Sequence, residues 1–459
     1  MTTLAAAGLI ATSSLASTQV QLSIAANNVA NADTEGYTRK TASSVALTTA
    51  GTGSGVTVGK ITSGVSRILL ADLVAATTAA GEAGVTADYL DRLQSLMGST
   101  SSSSGNGTSL ANSLAAVEEA FAALADTPES VSLAATAVNE LDELAAQLRA
   151  LSASVQSLRS AADTDIAAAV TSANDTITAI ASLNEQILAT AARGQSTADL
   201  EDQRNQALAT LSQSLGVTSF IADDGSMKVY TTTGQVLVDS RAHLLSFDPS
   251  SSVGAGVVYD GSGSGLSGIT VDGKDITASM TEGEIGALLA LRDSTLPEVQ
   301  EMLDALASTL VSSLNAVSPD LLSGTDATDI TVNGDLLRTP SALLPETGGA
   351  DIATALVEAL QGKTAFPDTA RQGGGESTFA DYAARLLSLV VSDANSASAH
   401  LERATAQLAE ISDTMSSLYG VNIDEETARM SNLEQLYSAS AQVLSILKQM
   451  YEDLLAAIA

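Results

Sequence analysis

The sequence contains no cysteine and no tryptophan. Without thiols, disulfides and thiolate metal sites are excluded. A chain of this kind can also leave a cell unfolded and fold outside without misoxidised sulfur. Histidine occurs twice, at His243 and His400, far apart and without the HExxH spacing of a metal-binding helix. Each reads as a polar side chain at a partly exposed position. Aromatic residues make up 3 % of the 459 residues, although 45 % are hydrophobic. A core so poor in rings and rich in Ala and Leu suits close-packed helices. Basic residues are scarce too: 20 Lys and Arg stand against 53 Asp and Glu, a formal charge of −33. A surface of that sign repels phosphate backbones and anionic lipid, so neither nucleic acid nor membrane is expected as a partner. The first basic residue is Arg39, so a secretory signal peptide is not expected. No uninterrupted apolar run reaches about 18 residues, so no membrane span is expected either.

The common catalytic fingerprints are missing as well. No GxSxG, phosphate-binding loop, dinucleotide-binding or EF-hand pattern occurs. Gly51 to Gly55 is glycine-rich but lacks a following Gly-Lys-Ser/Thr, and it reads as a loop. Glu118-Glu119, Asp223-Asp224 and Glu425-Glu426 are adjacent carboxylates. Neighbours on a helix do not face one another, so these read as solvated or capping charge. Neither an enzyme, nor a cofactor, nor a metal site is expected.

What the sequence does contain is heptad periodicity. Leu4, Gly8, Ala11, Leu15, Thr18, Leu22, Ala25 and Val29 alternate spacings of four and three, the seam of a coiled-coil helix. Many of these knobs are small or polar, so the helix needs a partner. Residues 98–109 read as a flexible Gly/Ser loop. Leu141, Leu144, Leu148, Leu151, Val155 and Leu158 form a second seam. Ile166, Val170, Ala173, Ile177, Ile180 and Ile187 continue it after a one-residue change of phase. This is one long helix with a break near Ala161 to Asp165, or two helices. Between about Leu215 and Thr277 the composition turns to Val, Thr, Gly and Ser. Asp224-Gly225 and Asp272-Gly273 there are hairpin signals. Helix returns at Glu284, with Arg292 interrupting its stripe and a restart expected at Pro297. A long stripe runs from Leu387 to Leu418. After Gly420 a last seam carries Leu433, Tyr437, Leu444, Leu447, Tyr451, Leu454 and Ile458.

The expected fold class is therefore mainly α, with terminal coiled-coil helices and a long-helix bundle holding an inserted small β domain. Residues 1–60 form the N-terminal helix and an extended segment. The bundle occupies 61–214, 281–317 and 377–420, the β domain 215–280, and an irregular, reduced distal element 318–376. Residues 421–459 form the C-terminal helix. The matching terminal seams point to the two end helices packing together.

The run from Ala26 through Asn27-Asn28-Val29-Ala30-Asn31 to Gly36-Tyr37-Thr38-Arg39 resembles the N-terminal signature of the flagellar axial family of rod, hook and hook-associated protein 1 subunits. Asp33 and Glu35 stand where that family commonly has Asn and Pro. The C-terminus, Gly420 to Glu426 followed by Tyr437 to Ala441, resembles the family's closing helix, with Thr427 and Glu434 as departures. The middle segments Asp199 to Arg204, Gly234 to Val238 and Gly283 to Asp293 are similar to the hook-associated protein 1 branch. Hook and distal rod subunits share the ends, and the helical middle disfavours them. The resemblance implies a structural subunit at the junction of hook and filament, outside the cell, exported by the flagellar type III apparatus. It implies as partners other copies in a tier, the hook protein, the next hook-associated junction protein, the filament cap during assembly, and an export chaperone on the C-terminal helix. It also implies that assembly runs through Leu4, Leu15, Leu22 and Val29, through the signature residues Asn27, Asn28, Asn31, Gly36 and Tyr37, and through the seam from Leu433 to Ile458.

Overall fold

The computed structural model describes residues 2–49, 52–100, 107–261, 265–344 and 349–458. The chain opens with helix α1 (Thr2–Ala30), the hairpin strands β1 (Lys40–Thr49) and β2 (Thr52–Ser63), and α2 (Arg67–Leu96). Helices α3 (Leu110–Asp126), α4 (Val131–Ala192) and α5 (Ala198–Ser214) follow. Strands β3 (Val217–Ile221), β4 (Met227–Thr231), β5 (Val236–Val238), β6 (Leu245–Ser246), β7 (Thr270–Val271) and β8 (Lys274–Asp275) come next. Then come α6 (Gly283–Ala290), a π-turn (Leu291–Thr295), α7 (Leu296–Val317), β9 (Leu322–Ser323), β10 (Thr331–Val332) and the short α8 (Gly334–Arg338). The chain closes with α9 (Gly349–Gln361), β11 (Thr364–Phe366), β12 (Gly375–Ser377), α10 (Phe379–Tyr419) and α11 (Ile423–Ile458). The architecture is mainly α with small antiparallel sheets.

The helices follow the stripes. In α4 the side chains at 141, 144, 148, 151, 155 and 158 are all buried, as are those at 162, 166, 170, 173, 177 and 180. The phase change does not break the helix. Leu158, Ala162, Ile166 and Val170 follow at spacings of four, and the buried stripe continues through one unbroken helix. By length and composition α2 and α4 each hold a stretch apolar enough to cross a membrane, which counting uninterrupted runs passes over. A third of that stretch in α4, 33 %, is buried in the protein.

The chain divides into two compact units. The first comprises residues 1–77, 174–244 and 405–459. Here α1 lies along α11, the β1–β2 hairpin lies on α1, and β3, β4 and β5 form one sheet. The segment from Thr52 to Gly55, expected as loop, belongs to β2, and Gly51 lies outside the described residues. Gly55 has φ +131°, and a Cβ there would come within 2.3 Å of Ser13 Oγ. The close approach lets Ser13 Oγ accept from Val56 N at 3.1 Å, tying the hairpin to α1.

The second unit comprises residues 78–173 and 245–404. Its core buries Leu114 and Phe121 of α3, Leu144 of α4, and Leu303, Leu306 and Leu310 of α7, and α3 and α7 both pack on α9. Phe366 stacks on Tyr382 with centroids 4.1 Å apart and meets Phe379 edge-on, so three of the few aromatic rings share one cluster. The segment 318–376, expected as irregular, holds α8, α9 and four short strands; α9 buries Ala353, Leu356 and Leu360. Residues 101–106 of the Gly/Ser loop and 345–348 lie outside the described residues.

The expected single β domain over 215–280 is replaced by two separate sheets. Strands β3–β5 belong to the first unit and β6–β8 to the second. The division falls between Leu244 and Leu245; just before it the turn Asp239–Arg241, with Asp239 Oδ1 accepting from Arg241 N, returns Ala242 and His243 to β5. Both hairpin signals fold as read. Asp272 and Gly273 have φ +50° and +78°, the two left-handed residues of a tight hairpin turn. His243 is buried rather than partly exposed, with Nε2 3.2 Å from Asp239 Oδ1. The N–H of Arg241, followed by His243, holds the Asp239 carboxyl down to about 2.

Arg292 interrupts its stripe for a reason the sequence does not display. In the π-turn, Leu296 N donates to Leu291 O, and Pro297 has no N–H to offer Arg292 O. Arg159 Nε fills that place at 3.0 Å. Its other nitrogens hold Gly254 O and Val257 O. Arg292 itself pairs with Asp163 at 2.7 Å and, through two bonds, with Asp293. Burial alone would lower the Arg292 pKa. The hydrogen bonds and charges of Asp293 and Asp163 outweigh that and raise it.

Candidate functional site

The signature residues gather where α1 ends, β1 begins, α5 passes and α11 starts. Asn27 to Asn31 close α1: Asn31 N and Nδ2 both donate to Asn27 O. Thr34 N then donates to Asn31 O and Tyr37 N to Thr34 O. Gly36 takes φ +74°, a left-handed conformation costly for other residues, and a Cβ there would press on Gln206 at 3.3 Å.

Asn28 is fully buried, and its amide is satisfied on every side. Oδ1 accepts from Lys40 N and from Tyr37 OH, both at 3.0 Å. Nδ2 donates to Lys40 O at 2.9 Å and to Glu426 Oε2 at 3.3 Å. The side chain thus acts as a strand partner for Lys40, which fixes where β1 leaves the helix.

Two ion clusters flank it. Asp202 on α5 accepts from Thr38 N at 2.8 Å, from Thr38 Oγ1 and from Lys40 Nζ, while Asp199 lies 3.8 Å from Lys40. Glu426 on α11 is completely buried and accepts from Arg39 Nε at 2.6 Å, with Arg429 3.8 Å away. Arg39 N donates to Tyr419 O at 2.7 Å, capping the last turn of α10. Lys40 Nζ also sits 4.7 Å from the centre of the Tyr37 ring. Burial, then Asp199, Asp202 and Glu426, push the Tyr37 phenol up to about 12, so near neutral pH it stays a donor. The arrangement joins chain segments rather than activating a group. Among the described residues no group of three or more His, Asp and Glu is placed to hold a metal.

The expected interface residues divide in two. Asn28 and Tyr37 are part of this hub; Asn31 and Gly36 shape its turn; Asn27 is exposed beside it. Leu4, Leu15, Leu22 and Val29 are half-buried on α1. On α11, Leu433 is buried, Leu444 and Leu447 are half-buried, and Tyr437, Tyr451 and Leu454 are exposed. The side chain of Ile458 lies outside the described residues. Ser14 and Ser440 meet at 3.1 Å between the two helices. Sequence reading missed Lys40, Asp202 and Glu426. Glu426 was read as solvated or capping charge, and its burial corrects that.

Trypsin offers a direct check of the hub. Asn28→Leu would leave the N–H and C=O of Lys40 and the Tyr37 hydroxyl without this partner, at roughly 1–3 kcal/mol for each buried group. Cleavage after Arg39 and Lys40 is expected to be slow in the native chain and fast in the variant. Equal rates would show that Asn28 does not hold this segment.

Residues 90–330, more than half of the chain, match the flagellar hook-associated protein FlgK helical domain. The chain belongs to the FlgK hook-associated protein family. Residues 9–38, ending inside the hub, match the flagella basal body rod protein family. The chain is similar to flagellar hook-associated protein 1 of Escherichia coli, at 28 % identity over 323 residues, covering 66 % of this chain and 55 % of that one. To the protein of the same name from Salmonella typhimurium the figures are 27 % over 316 residues, 67 % and 55 %. The chain thus spans about half the length of these curated relatives. Among solved structures it is similar to the flagellar hook junction protein FlgK of Burkholderia pseudomallei, with a TM-score of 0.45 and 27 % identity, covering 55 % of this chain and 44 % of that one.

Proposed function

We propose that the chain is a structural subunit of the junction between flagellar hook and filament, exported by the flagellar type III apparatus and assembled at the hook tip through its terminal helices. Family membership supports the junction, since the relatives it matches are hook-associated proteins. The observation that carries the assembly role is the terminal pair. Helices α1 and α11 pack together, yet they leave Leu9, Val20, Leu436, Val443 and Ile446 exposed. Exposed apolar residues at this density on one helix pair fit a surface that becomes buried on association. In this reading the hub ties the paired ends to α5 and to the last turn of α10. The partners are further copies in the tier, the hook protein, the next junction protein, the cap, and a chaperone on α11 before export. The function is mechanical, with no enzymatic step.

Gold-labelled antibody against residues of the second unit tests the reading on isolated hook–filament particles. Label is expected as one narrow band between hook and filament. Label spread along the hook, along the filament or in the rod contradicts it.

A further inference from the structure

Strand β3 is an outer strand of its sheet, whose order is β3-β4-β5. The opposite edge is closed, because Ala242 bridges to Val238 and His243 N donates to Leu237 O. The β3 edge is open. Val217 to Ile221 lie opposite Thr231 to Met227 in one continuous register. At the two ends of that ladder Thr232 N donates to Gly216 O and Ala222 N donates to Ser226 O. Hydrogen bonding alternates along an antiparallel pair, so Thr218 and Phe220 turn their N–H and C=O groups to β4. Those of Ser219 and Ile221 turn outward, and among the described residues no backbone group meets them.

Edge strands are commonly guarded against pairing by a lysine, a proline or a bulge. Strand β3 has none of these. No charged residue occurs from Asn205 to Ala222, in a chain of net charge −33. Two copies so acidic repel over most of their surface and can approach closely where neither carries charge. Phe220 stands on the outer face of the strand, 54 % exposed, with its ring stacked on Tyr230 at 5.8 Å. Laid antiparallel to itself about Phe220, the strand is self-complementary. Ser219 meets Ile221 of the second copy, and their outward groups exchange hydrogen bonds. Phe220 meets Phe220 of the second copy at a non-hydrogen-bonded position, where side chains come closest. Asp223 and Asp224 then lie opposite Val217 and Gly216, so along the strand no carboxylate faces another.

We infer that β3 pairs with β3 of a second copy of this chain, joining two three-stranded sheets edge to edge. The contact is isologous, with its two-fold axis between the two Phe220 residues. Main-chain hydrogen bonds supply the affinity, as in other strand additions, and the two Phe220–Tyr230 stacks come together on the outer face. The edge is short, so the pair forms at high protein concentration. Salt favours it, because screening weakens the repulsion between copies and leaves the uncharged edge unaffected. Copies related by a two-fold axis point opposite ways, whereas a tier between hook and filament has one direction. The pair is therefore a state of the free chain, and it stands independently of the junction reading.

Sedimentation of the full-length chain at rising concentration, in low and high salt, tests the pairing. A monomer–dimer equilibrium is expected, with more dimer at high salt. Phe220→Glu should abolish the dimer while helix content stays unchanged. Its carboxylate lies opposite Lys228 within the chain and meets its own copy across the axis. Ser219→Pro should abolish it too, since the Ser219 N–H is not used by β4 and proline is tolerated on an edge strand. The chain has no native cysteine, so disulfide trapping is specific. Phe220→Cys chains should oxidise to a dimer faster than Ala153→Cys chains, whose cysteine stands at an exposed position of α4. A wild-type chain that stays monomeric at every concentration overturns the inference. So does a dimer that survives either substitution, which marks association through another surface. Oxidation of Phe220→Cys no faster than that of Ala153→Cys overturns it as well.

Discussion

Cells whose only copy of this chain carries Leu444→Lys and Leu447→Lys are expected to bear hooks without attached filaments. Both leucines are half-buried against α1, three residues apart on the seam. Full burial of a leucine is worth roughly 1.5–3 kcal/mol, and each ammonium adds a desolvation penalty if the seam closes over it. A single chain escapes most of that cost by letting α11 part from α1, because the hub and the second unit make their own contacts. An assembled tier repeats the defect in every subunit and has no such escape. The purified variant should therefore keep the unfolding transition of its bundle while losing the helical signal of its ends. Export is measured in parallel, because the same face is proposed to meet a chaperone. Normal secretion together with firmly attached filaments would show that this seam is not needed for assembly.

The largest stability effect is expected at Arg292. Replacing it by Leu removes the cation beside Asp163, whose carboxylate is almost wholly buried. Ser250 N would remain as a donor to that carboxylate at 2.6 Å. Breaking a buried pair from one side typically costs about 3–5 kcal/mol. Arg292→Leu should therefore lower the denaturant midpoint strongly. Arg292→Leu with Asp163→Leu should recover part of the loss, since Asp163 is no longer stranded, while Asp293 still lacks its two bonds from Arg292. A double-mutant cycle separates the pair from the packing of the π-turn. If the two single variants add without coupling, the ion pair is not what holds this part of the second unit.

The stripes were legible because burial on a helix repeats in sequence, so α4, α7 and α10 could be read from their Leu, Ile and Ala positions. The hub was legible only in part. Its turn residues, from Asn27 to Tyr37, lie together in the chain and announce a helix exit. Its ionic partners do not: Asn28 and Glu426 are 398 positions apart, and a buried glutamate looks like an exposed one until the fold brings it to Arg39. Arg292 and Pro297 gave a visible anomaly without its cause, because the cause is a carbonyl freed by a π-turn and met by Arg159 from another helix. The β-prone stretch was correctly located but read as one domain. Composition marks strands, whereas the division between Leu244 and Leu245 depends on which unit each sheet packs against.

The most direct test of the junction role is to delete the gene and image the cells by electron microscopy, assaying flagellin in the medium. The account predicts complete hooks that lack filaments, with flagellin lost to the medium, both reversed by the wild-type chain. Filaments still attached to hooks in the deletion strain would contradict it.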